Sequence, residues 1–439
     1  MRKILTLLAC AAITVMAAQA HEVGGDISLL PKYEANGARY YTSTGTRITG
    51  GMLPYLKQAG WTSMRVRLFV DPSKASTADK GQGVIQDLAY VADLGKKIKD
   101  AGFTFMLDFH YSDSWADPAK QFTPDAWKDL NDDQLNQKIY DYTRECLETL
   151  VAAGATPDYI QTGNEISYGM LWGVSGSSNL KKCFYNDDYA ANWSRFTRLL
   201  KSAGTACREV CPNAKIVLHI ERVPRATNIT YFYNKMNADN VDYDIIGLSY
   251  YSYYHGSLST LELALQTIER TFPDKEIMIV ETGYFHAYQP SDITYDYSST
   301  YPISAAGQLA FTQALIAQLQ KHENVTGLYW WWPEANENGL NWNTQRVTDA
   351  WYNAGLWDNS NGRAMPAVDE LRNFLPEVEI PVGDVDGDGK VNGTDLNILI
   401  DIVLGRDNAA NYDGRADLNG DDECDAVDIN NLINIILGK

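Results

Sequence analysis

Between Val23 and Phe374, short apolar runs alternate with stretches of helical periodicity. Eight runs read as strands: Gly24–Ser28, Ser63–Val70, Thr104–His110, Tyr159–Thr162, Lys215–His219, Ile245–Ser249, Ile277–Glu281 and Val325–Trp331. Among the stretches between them, Val84 to Ala101 carries Val84, Leu88, Val91, Leu94 and Ile98 at helical spacing, and Ala306 to Lys321 carries Leu309, Ala310, Leu315 and Leu319. Eight such alternations predict an α/β fold, a (β/α)8 barrel. A doubly wound open sheet usually has fewer strands and often a glycine-rich phosphate turn, and no such turn follows the first run. Barrel sites lie at the carboxyl ends of the strands. Here those ends hold Arg65 and Arg67, Asp108 and His110, Asn164 and Glu165, His219, Tyr250 and Tyr251, Glu281, and Trp330 and Trp331.

Past Phe374 the pattern changes. DVDGDGKVNGTD (Asp384 to Asp395) and DLNGDDECDAVD (Asp417 to Asp428) repeat 33 residues apart, each followed by one apolar helix. Oxygen-bearing side chains at loop positions 1, 3, 5, 9 and 12 suit a calcium loop that wraps a hard cation. They are Asp384, Asp386, Asp388, Asn392 and Asp395 in the first loop, and Asp417, Asn419, Asp421, Asp425 and Asp428 in the second. Gly389 provides the sharp turn of the first loop, and Asp422 replaces it in the second, which weakens that site. One helix per loop resembles a type I dockerin rather than a full EF-hand. That resemblance implies structural calcium and a cohesin-type protein partner.

Charge sharpens the division. The chain of 439 residues has a net charge of −19, which makes nucleic acid or an anionic membrane surface a poor partner. Acid concentrates at the end, with 13 Asp and Glu against 4 Lys and Arg from Pro381 onward. At the other end, Arg2 and Lys3 precede the apolar Ile4 to Ala18 and the small-x-small site Ala18-Gln19-Ala20. This reads as a signal peptide cleaved before His21, with a lipoprotein anchored at Cys10 as the rival. The expected localisation is extracellular, periplasmic or at the cell surface. The expected layout is therefore signal peptide 1–20, barrel 21–376, linker 377–383 and calcium-loop domain 384–439. Cys146, Cys183, Cys207, Cys211 and Cys424 remain, an odd number with no zinc spacing, and no pairing follows from it.

Glu165 and Glu281 each close a strand that a barrel wall would bury, where an unpaired carboxylate is costly. Cleaving a glycosidic bond uses such a pair, one carboxylic acid to protonate the leaving oxygen and one carboxylate to attack or to activate water. Strands four and seven lie nearly opposite in an eight-strand ring, so the two glutamates face each other. Arg65 is placed to pair with Glu281 and keep it ionised, and Asn164 to bind a sugar hydroxyl. An aromatic share of 11% offers flat faces for sugar rings.

Several stretches resemble glycoside hydrolase family 53, the endo-β-1,4-galactanases: GGDISLLP from Gly24, SMRVRLFVDP from Ser63, LDFHYSDSWADPAKQ from Leu107, TGNEISYGMLWG from Thr162, IIGLSYYSYYHG from Ile245, IVETGY from Ile279 and AGLWDNSNGRAMPA from Ala354. The resemblance implies a retaining endo-acting enzyme on the β-1,4-galactan of type I arabinogalactan, needing no cofactor for catalysis and acting as a monomer. It makes Glu165 the acid/base and Glu281 the nucleophile. It also implies that His110, Trp115, Asp117, Asn164, Trp172, His219, Tyr250, His255 and Trp331 line the cleft. Tyr254, where Trp is common, and WPEAN after Trp331, in place of an EP-type run, depart from the family. The alternatives are another clan enzyme acting on mannan, xylan or glucan, and a non-catalytic carbohydrate-binding or scaffold protein.

Overall fold

The computed structural model describes residues 20–185, 190–348, 351–376, 381–387, 389–412 and 414–439. The expected signal peptide up to Gln19, part of the expected linker and Asp388 lie outside them. The chain forms two compact units, Met1–Leu375 and Pro376–Lys439.

In the larger unit eight strands close into a barrel in chain order. They are β1 (Glu22–Asp26), β2 (Ser63–Leu68), β3 (Thr104–Phe109), β4 (Tyr159–Thr162), β5 (Lys215–Ile220), β6 (Ile245–Tyr250), β7 (Glu276–Thr282) and β8 (Val325–Trp331). All neighbours are parallel, and β8 returns to β1 with Asp26 opposite Trp331. Met106, Tyr159, Val217, Ile245, Met278, Val280 and Tyr329 fill the inside of the ring. Their strand neighbours, such as Leu107, Ile216 and Ile279, join the larger core beneath the helices. A strand alternates faces every residue, so Arg65 and Arg67 point inward on β2 while Val66 and Leu68 point out.

The helix expected from Val84 starts at Leu88, because the Asp87 side chain accepts the Tyr90 N–H and caps it there. On β7 strict alternation would put Glu281 outside with Ile277 and Ile279. The ladder skips a residue instead: Leu248 pairs with Ile279 and Ser249 with Glu281. Such an irregularity re-aims a side chain, and Glu281 turns inward.

In the smaller unit, helices Gly393–Val403 and Ala426–Ile436 begin at capping boxes built by Asn392 with Asp395 and by Asp425 with Asp428. Its buried apolar core is small: Val385, Leu399, Ala416 and Leu432. No helix among the described residues is long and apolar enough to cross a membrane.

Candidate active site

Arg65 organises the carboxyl end of the barrel. Its Nη1 donates to Asp26 at 2.9 Å, its Nη2 donates to Asp108 at 2.8 Å and to Asn164 at 2.9 Å, and the same Nη2 lies 3.0 Å from Glu281 Oε1 as an ion pair. Burial opposes the arginine's charge, yet Asp108, Glu281 and Asp26 raise its pKa above the usual value. Burial works against Asp108 as well, but Arg65 and then His110 hold it below the ordinary carboxylate range. Arg67 donates to Asp26 at 2.8 Å, and its guanidinium lies 4.8 Å from the Trp115 ring centre and 5.1 Å from that of Trp332.

The two glutamates have different surroundings. Glu281 is 7% exposed. It meets Arg65 through Oε1 and accepts the Tyr251 hydroxyl on Oε2 at 3.1 Å. Burial pushes Glu281 up to about 7, with Arg65 pulling down and Asp108 and Asp26 pushing up. Among the described residues, no such cation meets Glu165. Burial, then the Glu281 charge, then Glu221 drive it well above the carboxylate range, against one hydroxyl donated by Ser249 to Oε1 at 2.7 Å. Ser249 donates there, so it receives its own hydrogen bond from His219 Nε2 at 2.7 Å. Burial and Arg65 keep His219 neutral. With Oε1 accepting, a proton on Glu165 belongs on Oε2. Of the two, Glu165 is therefore the one that keeps its proton longer as pH rises, and Glu281, beside Arg65, the one that ionises first.

Both glutamates line one cavity of about 360 Å³. Of the expected residues, Arg65, His110, Trp115, Asp117, Asn164, His255 and Trp331 also line it. His255 accepts the Tyr251 N–H on Nδ1 at 3.1 Å, and burial lowers its pKa to about 4, so the neutral ring carries its proton on Nε2. Asn164 is committed on both sides, accepting from Arg65 and donating to the Ala116 carbonyl at 2.8 Å. It ties β2, β4 and the loop after β3 together.

Three expected lining residues are absent from the wall. Trp172 is fully buried, with its indole N–H on the Tyr168 carbonyl at 2.8 Å and Lys182 over its ring. Tyr250 is fully buried and donates to the Gly256 carbonyl at 2.9 Å, because strand alternation turns it outward and leaves Tyr251 facing the cavity. His219 points inward but lies behind Asn164 and Ser249. The wall also includes residues outside the expected lining, among them Glu221, Tyr251, Trp332 and Trp351. Glu221 was legible in principle. Val217, His219 and Glu221 fall on one face by alternation, but the apolar run expected as the strand stops at His219, whereas β5 continues to Ile220.

In the smaller unit, carboxylate oxygens of Asp384, Asp386 and Asp395 lie within 4.8 Å of one another. Asp384 accepts the N–H groups of Gly387 and Gly389, and Asp395 those of Val385, Asp386 and Asn392, so each loop end is folded around an acid. The second loop repeats this on Asp417 and Asp428.

Residues 22–371 match the family model described as glycosyl hydrolase family 53. The chain belongs to that family. Residues 382–437 match the dockerin type I domain. This family 53 chain is 29% identical over 320 residues to the endo-beta-1,4-galactanase of Bacillus subtilis, covering 71% of this chain and 69% of that protein. It is 30% identical over 348 residues to the arabinogalactan endo-beta-1,4-galactanase A of Aspergillus niger, covering 76% and 89%. Among solved structures, the GH53 catalytic domain of Ignisphaera aggregans superposes with a TM-score of 0.69 at 31% identity, covering 83% of this chain and 98% of that one. The glycosyl hydrolase barrel and the dockerin-type module thus occupy successive parts of the chain.

Proposed function

We propose that the protein is an exported, retaining endo-β-1,4-galactanase that cuts the galactan backbone of type I arabinogalactan. The observation that carries this is the asymmetry of the glutamate pair, with Arg65 on Glu281 and, among the described residues, no cation on Glu165. The galactanases of Bacillus subtilis and Aspergillus niger among its relatives support the substrate.

Glu281 Oε1, ionised against Arg65, attacks the anomeric carbon. Glu165 Oε2 delivers its proton to the departing oxygen. Glu165, now a carboxylate, then takes a proton from water as water displaces Glu281. Trp331 offers a ring face to a galactosyl unit, backed by Trp332 stacked at 4.2 Å. Arg65 neutralises charge on Glu281 without a metal, and we assign no cofactor to this step.

Asp384, Asp386, Asn392 and Asp395 would hold one calcium ion, and Asp417, Asn419, Asp421, Asp425 and Asp428 a second. The hard oxygen donors and the loop wrapped around Asp384 and Asp395 fit that ion. Calcium would supply charge balance that lets the loops close, and the module would dock on a cohesin-type protein. The apolar leader from Ile4 to Ala18 supports export, and we take the chain to act as a monomer.

Proton NMR of the first products from galacto-oligosaccharides tests the mechanism: a β-anomer formed first is expected, and an α-anomer overturns retention. Reducing-sugar release from galactan, mannan, xylan and glucan tests the substrate. Preference for any of the last three overturns the galactanase reading.

A further inference from the structure

Glu221 follows β5 directly, is 7% exposed and lines the cavity that holds Glu165, yet the reaction above leaves it unused. Its Oε1 accepts the Ser167 hydroxyl at 2.7 Å and lies 2.9 Å from Arg222 Nε. Its Oε2 is buried without a hydrogen-bond partner among the described residues. Ser167 stands just beyond Glu165, and its neighbours grip it from several sides. Arg222 donates to its hydroxyl at 3.3 Å, Tyr185 donates to its carbonyl at 3.1 Å, and the Arg222 guanidinium lies 4.3 Å from the Tyr168 ring centre. The turn so gripped is strained, since Glu165 has φ 47. A side-chain-bearing residue persists there only where its surroundings over-determine the backbone.

We propose that Glu221 is a positioning residue for Glu165, pinning through Ser167 the strained turn that carries the acid/base. The inference rests on Glu165 having that role. Glu221 has a second effect, because its negative charge in the same cavity opposes loss of the Glu165 proton. Glu281 opposes that loss more strongly still, and the remaining groups facing Glu165 are paired or neutral. Glu281 is paired with Arg65. Asp117, from the loop after β3, lies 3.9 Å from Lys120. Burial and nearby Arg65 keep the His219 imidazole neutral, and burial and Arg222 that of His255. Tyr251 donates to Glu281. Arg222 offsets part of the charge on Glu221 itself.

Two full-length variants separate the effects. E221Q removes the charge and keeps an acceptor for Ser167, so the alkaline limb of kcat/KM should fall by about half a pH unit. E221D keeps the charge on an arm too short for Ser167. Its limb should stay in place while kcat on a phenyl β-glycoside, whose leaving group needs the acid, drops roughly tenfold. S167A provides a third arm that leaves Glu221 intact. It should lose more activity on the phenyl glycoside than on the dinitrophenyl one. An unmoved limb in E221Q, full turnover in E221D, or equal losses on both leaving groups in S167A overturns the proposal. All are read on a glycoside that the wild type cleaves, so a wild type inert on galactan would overturn the galactanase reading alone.

Discussion

The indole of Trp172 is enclosed and bonded to the Tyr168 carbonyl, whereas that of Trp331 stands partly exposed at the cavity wall. Trp172→Ala should therefore cost stability, about 3–5 kcal/mol, seen as a lower melting temperature. Trp331→Ala should leave the melting temperature nearly unchanged and raise KM for galactan. Glu334 is a second buried carboxylate outside the reaction. Its Oε1 accepts the Leu29 N–H at 2.9 Å, Oε2 has no partner among the described residues, and burial with nearby Asp26 pushes it up to about 8. Unfolded, it titrates near its ordinary value of 4.5. Between these two values the folded state holds more protons than the unfolded one. Its contribution to stability therefore falls as pH rises, and the loss is complete above the folded value. Glu334→Gln stays neutral throughout. Melting curves should nearly coincide with wild type near pH 4 and lie above it near pH 9.

The two acidic loops share a backbone path but not its chemistry. At loop position 6 Gly389 has φ 85, and Asp422 adopts φ 67 in the equivalent place. A residue with a Cβ loses about 1 kcal/mol in that conformation, roughly a fivefold difference in affinity. Calorimetric titration of the full chain with calcium should show a tighter and a weaker site, and Asp422→Gly should strengthen the weaker one. Equal affinities before the substitution would contradict the strain argument. In the barrel, the corresponding local device is the skipped ladder position on β7, which brings Glu281 inside against the alternation of Ile277 and Ile279.

Each unit has its own core, and the cores differ greatly in size. The smaller buries only Val385, Leu399, Ala416 and Leu432 behind two helices. A module that small needs help, which bound metal commonly provides. An ion that binds only the folded form stabilises it by mass action. Scanning calorimetry of the whole protein should show two transitions. Chelator should move the smaller one down or abolish it and leave the larger in place, while galactan hydrolysis continues at an unchanged rate. Loss of activity in chelator would mean that the barrel depends on the ion too.

What could be read from the sequence depended on period and spacing. Apolar runs alternating with helical stretches determine the barrel, and oxygen side chains at loop positions 1, 3, 5, 9 and 12 mark the acidic loops. Both are local properties of the chain. Glu165, Glu281 and Arg65 were legible for the same reason, as polar ends of apolar strands. Only the tertiary structure decided which of those ends opens on the cavity. Tyr250 and His219 at strand ends, and Trp172 in the segment after β4, are enclosed, while Tyr251, Glu221, Trp332 and Trp351 face the cavity. One residue's difference in where a strand stops, or one skipped ladder position, exchanges the faces. The difference in surroundings between the two glutamates is also tertiary. It comes from Arg65 on β2 reaching Glu281 on β7 while Ser249 on β6 meets Glu165 after β4, contacts between residues far apart in the chain.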